Sequence, residues 1–231
     1  MVRGDRMKTI AILAAAGRGE RLGGKRAKLW VEVRGKPLIY YSINCVARAA
    51  SVDGILLMSP EKDISSLRDS IRAWGVKKIR DVLAGGELRQ DTVRLGIEAL
   101  PKSCGVVVIH DAARPMASAA LFERVIEAAI RVGAASAAIQ PVDTIARIGH
   151  KKSIEYLDRN TLRIIQTPQA FRVEVIRDAH KRAIEEGFEG TDDAGLALRA
   201  GHSVELVEGD PGNFKVTYSE DIKRLTQLIE K

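Results

Sequence analysis

The sequence predicts an α/β protein built on a doubly wound, mostly parallel sheet with a protruding β-arm. Three observations carry that prediction. Short apolar runs alternate with longer segments of helical spacing, a rhythm that places parallel strands between crossover helices. The strongest runs lack polar alternation, as strands covered on both faces do. One segment, residues 141–166, breaks the rhythm: it is polar, carries Lys151-Lys152, and has turn signals at Gly149 and Asp158-Arg159-Asn160. It reads as a β-hairpin arm leaving the main sheet, with a disordered insertion as the plainer alternative, and the whole chain as one domain.

In chain order, residues 7–15 form a continuous apolar run and predict a first buried strand. Pro37 stands in the first turn of a helix over residues 37–49, where its missing N–H costs nothing. Residues 54–59 predict a strand, 64–74 a helix, 76–82 a strand and 88–100 a helix. Residues 105–110 contain four consecutive β-branched residues, Val106 to Ile109, and end at His110-Asp111. A helix over 119–132 and a strand over 134–140 precede the arm. Beyond it come helices over 174–186 and 191–200, a strand over 203–207 and a closing helix over 218–230.

The 231 residues are 45% hydrophobic and 29% charged, which excludes a disordered chain, and no apolar run reaches the ~20 residues that span a bilayer. The basic, then apolar start runs straight into a glycine- and charge-rich segment, so it reads as a strand instead of a secretory leader, and the protein as cytoplasmic. Cys45 and Cys104 fit no metal or redox spacing, and the four histidines form no zinc pair. The net charge of +7 points to an anionic partner. Aromatic residues at 4% are too few for base-stacking platforms, which argues against nucleic acid.

In an open parallel sheet, ligands bind beyond the carboxyl ends of the strands. The first such loop, Ala14 to Lys28, combines small residues and glycines with five Lys/Arg in residues 18–28. Backbone can approach phosphate closely there, and cations stand beside it. A dinucleotide fingerprint fails because the third glycine comes one place late, at Gly23. A P-loop fails because Arg26 stands where a hydroxyl should follow Gly24-Lys25. A basic, glycine-rich triphosphate loop is what remains.

Ala15-Ala16-Gly17, Arg21 and Lys28, followed by Gly35-Lys36-Pro37, resemble the sugar-phosphate nucleotidyltransferases. Four later stretches sharpen the likeness: Gly85-Gly86-Glu87 through Thr92-Val93, His110-Asp111-Ala112-Ala113-Arg114-Pro115, Gln166-Thr167-Pro168-Gln169-Ala170-Phe171, and Thr191-Asp192-Asp193-Ala194 with Asn213-Phe214-Lys215-Val216-Thr217. In that order the chain resembles the 2-C-methyl-D-erythritol 4-phosphate cytidylyltransferase family over nearly its whole length. The resemblance implies a Rossmann-like nucleotidyltransferase that joins a cytidylyl group from CTP to methylerythritol phosphate. A cytidylyltransferase acting on ribitol 5-phosphate is the alternative with the same chemistry.

The resemblance also implies roles. Arg21, Lys28 and Lys215 are the catalytic cations. Ala15, Ala16, Gly17, Gly85, Gly86, Glu87, Thr92, Asp111 and Arg114 bind the nucleotide. Asp111, Thr144, Arg159, Thr167, Thr191 and Lys215 bind the second substrate, with Thr144 and Arg159 reaching across a homodimer through the arm. Mg²⁺ is implied mainly on the phosphates, with Asp111 as a candidate ligand. The chain has Ala27-Lys28-Leu29 where the family usually has Pro-Lys-Gln, and one residue fewer before Asp143-Thr144. Plainer readings stand beside these: Asp91-Thr92 or Asp111 as helix caps, Thr217 as cap of the last helix, Asp192 as a loop brace, and His110 as structural.

Overall fold

A computed structural model describes residues 7–17 and 28–229. The chain runs β1 (Lys8–Ala14), β2 (Glu32–Val33), β3 (Lys36–Pro37), α1 (Leu38–Ala47), β4 (Gly54–Ser59), α2 (Ile64–Trp74), β5 (Ile79–Ala84), α3 (Arg89–Glu98), β6 (Cys104–Asp111), α4 (Ala119–Val132) and β7 (Ala134–Ile139). It continues through β8 (Ile145–Ile148), β9 (Ile154–Leu157), β10 (Ile164–Arg172), α5 (Val173–Glu185), α6 (Asp193–Arg199), β11 (Glu205–Glu208) and α7 (Ser219–Ile229).

Seven strands form the central sheet in the order β11-β7-β10-β6-β1-β4-β5. All neighbours are parallel except β10, which runs antiparallel to both β6 and β7. Alternation along β1 explains the double winding. Ala11 and Leu13 pack on one face with Ile39, Ile43, Leu67 and Phe122, from α1, α2 and α4. Ile10 and Ile12 pack on the other with Val93, Ile97, Ile176 and Ala197, from α3, α5 and α6. With side chains of both parities buried, the strand has no polar positions to spare. Local signals end the helices: Gly75, at φ 68°, closes α2, while the Ser118 hydroxyl accepts from Leu121 N at 3.2 Å to start α4.

Three features depart from the sequence reading. The arm was expected to end at residue 166 and the next helix to begin at 174, with no element assigned between them, yet β10 lies there, inside the sheet. It carries Gln166, Thr167, Pro168 and Gln169, a composition that argues against a central strand. The sheet accommodates Pro168 at a register shift between Ile165 and Gln169. The Gln169 amide is satisfied by Ser136 Oγ at 3.0 Å and Asp192 Oδ2 at 2.7 Å. Second, β2 and β3 make a small hairpin whose turn residues Arg34 and Gly35 both have positive φ. Third, β5 begins and ends later than expected. Within residues 141–166, β8 and β9 pair antiparallel as a separate two-stranded sheet. Among the described residues, no helix is long and apolar enough to cross a membrane.

Candidate active site

Strand order reverses at β1 and β6, and their carboxyl ends open the crevice where an α/β sheet binds ligands. Ala14 pairs with Asp111, and Ala112 N donates to Ala14 O at 3.0 Å. Ala15 N donates to Met58 O at 2.9 Å and Gly85 N to Ser59 O at 2.8 Å, so two loops leave the sheet side by side. Their approach requires glycine at 85: a Cβ there would lie 2.3 Å from Ala16 Cβ. Gly86 N donates to Thr92 Oγ1 at 3.1 Å. Thr92 therefore lies inside α3 and holds the preceding loop instead of capping the helix; Leu88 takes the N-cap position without a side-chain bond. Glu87 is exposed on that loop.

Asp111 closes β6 as a buried carboxylate. Arg89 Nε donates to its Oδ1 at 2.9 Å and Lys215 Nζ to its Oδ2 at 2.7 Å. Burial alone would raise its pKa, but the two cations outweigh burial and hold it below the ordinary carboxylate range. Each carboxylate oxygen is thus engaged by a cation, Oδ1 by Arg89 and Oδ2 by Lys215. Among the described residues, no group of three His, Cys, Asp or Glu side chains is placed to hold a metal ion. Nor does Asp111 cap a helix.

The strand end is braced from behind. Asp111 N donates to Thr167 Oγ1 at 3.0 Å, and that hydroxyl also lies 3.1 Å from His110 Nδ1. His110 Nε2 lies 2.9 Å from Arg114 O, so the bond to a carbonyl puts the ring proton on Nε2 and leaves Nδ1 to accept from Thr167. Burial pushes the His110 pKa down to about 4, and the neutral ring is structural. Arg114 Nη1 donates to Asn213 O at 2.7 Å, Asn213 Nδ2 to Thr167 O at 2.8 Å, and Val216 N to Ala113 O at 2.8 Å. These bonds bring the segment carrying Lys215 against the end of β6. Arg89 Nη2, Arg114 Nε and Asn213 Oδ1 are buried without a hydrogen-bond partner among the described residues.

The structure thus gathers Ala15, Ala16, Gly85, Gly86 and Thr92 into one group, and Asp111, Arg114, Thr167 and Lys215 into another. Gly17 follows Ala16 as the last described residue of the first loop. Arg21 lies outside the described residues; Lys28 opens a short 3-10 turn, Lys28–Trp30, its side chain being outside them. Arg159 Nη1 donates to Val142 O, beside exposed Thr144, at the base of the β8–β9 hairpin. Thr191 is exposed before Asp192, which braces its loop as expected: Asp192 Oδ1 accepts from Gly195 N at 3.0 Å and caps α6. None of these three residues is hydrogen-bonded to the Asp111 group. At the far end of the chain, Asp221 accepts from Thr217 N, so Thr217 is held instead of capping α7.

Sequence reasoning missed four members of the network: Arg89, Asp193, Gln169 and Asn213. Arg89 Nη1 donates to Asp193 Oδ2 at 2.8 Å, and Gln169 Oε1 accepts from the backbone of Asp193 and Ala194. Each lies inside a segment that carried the resemblance. Their partners, however, are 22 to 104 residues away in Arg89's case, and local pattern does not report such distances.

Residues 9–231 match the family model described as IspD: 2-C-methyl-D-erythritol 4-phosphate cytidylyltransferase. The chain is 37% identical over 226 residues to the 2-C-methyl-D-erythritol 4-phosphate cytidylyltransferase of Syntrophus aciditrophicus, covering 97% of each chain. It is also 37% identical, over 227 residues and 97% of each, to the protein of that name from Dictyoglomus thermophilum. Among solved structures, it resembles 4-diphosphocytidyl-2C-methyl-D-erythritol synthase from Anaerococcus prevotii with a TM-score of 0.86 and 28% identity, covering 97% of this chain and 99% of that one.

Proposed function

The chain belongs to the 2-C-methyl-D-erythritol 4-phosphate cytidylyltransferase family, and on that footing we propose how its residues divide the reaction. The enzyme transfers the cytidylyl group of CTP to 2-C-methyl-D-erythritol 4-phosphate, giving 4-diphosphocytidyl-2-C-methyl-D-erythritol and pyrophosphate, a step of isoprenoid biosynthesis. A phosphate oxygen forms a bond to the α-phosphorus as the bond from that phosphorus to the β-phosphate oxygen breaks. The nucleophile is already ionised near neutral pH, so no protein base is needed. The protein's work is to align two polyanions and offset the charge that grows between them.

The observation that carries this assignment is the Asp111–Lys215 pair at the carboxyl end of β6. Lys215 is held on Asp111 yet is 40% exposed, so an incoming phosphate competes for its ammonium from the solvent side. Arg21 and Lys28, from the loop after β1, take the triphosphate, Lys28 at the α-phosphate. Ala15 to Gly17 and Gly85 to Thr92 enclose the nucleoside, with backbone carbonyls accepting from the cytosine amino group. A uracil carbonyl would face those acceptors and leave them unpaired. Thr167 sets the backbone of Asp111, and Arg114 fixes the Lys215 segment. Thr144 and Arg159, with Thr191, hold the methylerythritol phosphate across a homodimer. A divalent metal would be carried mainly by the substrate phosphates, where it would offset their charge, with Asp111 the candidate side chain toward it. Two buried, unpaired cysteines suit a cytoplasmic setting.

Pyrophosphate release tests the reading. Each nucleoside triphosphate is offered with methylerythritol phosphate and with ribitol 5-phosphate. Release is expected only with CTP and methylerythritol phosphate, and Lys215→Ala should cut kcat/KM by about a hundredfold, or ~3 kcal/mol. Turnover with ribitol 5-phosphate would overturn the substrate assignment, and a near-normal Lys215→Ala enzyme would remove Lys215 from the chemistry.

A further inference from the structure

Behind the Asp111–Lys215 pair runs a line of alternating charge into the protein. Lys215 Nζ meets Asp111 Oδ2 at 2.7 Å, Asp111 Oδ1 meets Arg89 Nε at 2.9 Å, and Arg89 Nη1 meets Asp193 Oδ2 at 2.8 Å. Asp193 Oδ1 lies 3.1 Å from His180 Nε2. The two ends differ in exposure, 1% for the Asp193 side chain and 40% for Lys215, with Arg89 at 28% and Asp111 at 11% between them. The inner end is anchored: Asp193 and Ala194 donate their backbone N–H groups to Gln169 in the central sheet, and His180 is buried on α5. Burial alone would lower the Arg89 pKa, but Asp193 and Asp111 outweigh burial and keep it a permanent cation. Arg89 is also the first residue of α3, directly after the loop of Gly85 and Gly86.

We propose that Arg89 is a positioning residue for the transfer: clamped between Asp111 and Asp193, it holds Asp111 so that Lys215 can pass from that carboxylate to a substrate phosphate. The inference rests on the assignment of Lys215 to substrate. A buried carboxylate that surrenders its only cation is left uncompensated, and that cost opposes the transfer. Asp111 has two cations on different oxygens. Arg89 stays when Lys215 leaves, because Asp193 fixes it from the other side, so the aim of the carboxylate survives the exchange. A planar fork can bridge two carboxylates in this way, whereas a lysine ammonium at the end of a flexible stem is a poor substitute.

The test is a double-mutant cycle on the full chain, using single-turnover rates with saturating CTP and methylerythritol phosphate. Arg89→Gln should lower the rate about tenfold in the wild-type background and less than about twofold in the Lys215→Ala background. Arg89→Lys should not restore the rate. A residue that merely supports the fold would lower the rate by the same factor in both backgrounds, and that result would overturn the inference while leaving Lys215 in place. A near-normal Lys215→Ala enzyme would overturn the underlying reading and this inference with it. Should Arg89→Gln fail to fold by circular dichroism, Asp193→Asn keeps the guanidinium and loosens its anchor. A rate loss of about threefold or more, abolished in Lys215→Ala, then supports the proposal; an equal loss in both backgrounds overturns it.

Discussion

His110 and Asp111 are adjacent, both buried, and burial moves them in opposite electrostatic directions. The bond to Arg114 O and the charge of Asp111 both favour the His110 cation, but burial outweighs them and drops its pKa to about 4, with Thr167 and Arg114 engaging both nitrogens of the neutral imidazole. Asp111 has two cations within 3 Å, so it stays ionised. Their pH windows therefore separate. Between pH ~6.5 and ~4 the unfolded chain binds a proton that folded His110 refuses, so stability falls as pH drops through that window. Asp111, with its folded pKa depressed, contributes stability above its unfolded value near 3.8 and loses it only at lower pH. The His110 linkage amounts to about 2 kcal/mol between pH 7 and pH 5. Urea titrations at the two pH values should show a loss of at least that order. NMR of the His110 ring should give a midpoint near 4; a midpoint near 6.5 would contradict the neutral, structural role.

Two loops meeting at Gly85 and Ala16 show how element packing constrains the site. Gly85 N is fixed on Ser59 O at 2.8 Å, and a methyl group at this position would lie 2.3 Å from Ala16 Cβ and 2.9 Å from Thr92 Oγ1. Neither Ala16 nor an added alanine has a torsion that relieves the clash, so backbone must move. Gly85→Ala should cost about 1–3 kcal/mol and raise the KM for CTP more than that for the polyol phosphate. Melting curves and steady-state kinetics check both, and unchanged values of both would contradict the close packing. This contact lay beyond sequence reading, although the glycine-rich loops themselves were legible from composition. Buried strands such as β1 and β6 were legible because continuous apolar runs have few alternatives. β10 was not, because its polar side chains find partners in the sheet and in the loops beside it: Gln166 bonds Asp210 O, and Gln169 bonds Ser136 and Asp192. The Arg89–Asp193 pair spans 104 residues, and only the topology brings it together.

The β8–β9 hairpin raises the question of what the molecule does as a whole. A two-stranded ribbon is marginal by itself in water and gains stability by covering its apolar side chains. Here those side chains are open: Val142 is 81% exposed, Ile148 66%, Ile154 63% and Tyr156 75%. Its polar contacts are modest, with Arg147 and Glu155 forming an exposed cross-strand pair worth under ~1 kcal/mol. Arg159, bonded to Val142 O at the hairpin base, ties this apolar group to a residue assigned to substrate. Two hairpins interlocked across a twofold axis would cover both surfaces and deliver Thr144 and Arg159 to the neighbouring site, the isologous arrangement most homodimers adopt. Sedimentation at micromolar concentration should therefore give twice the monomer mass. Replacing both Ile148 and Tyr156 with Glu should shift the protein to monomer, because charge cannot be buried unpaired in an apolar contact. The same variant should lose turnover while CTP binding persists, since the loops proposed to bind the nucleotide leave the main sheet. A wild-type monomer with full activity would refute the shared site, and a monomeric variant that keeps its turnover would show that each subunit is complete alone.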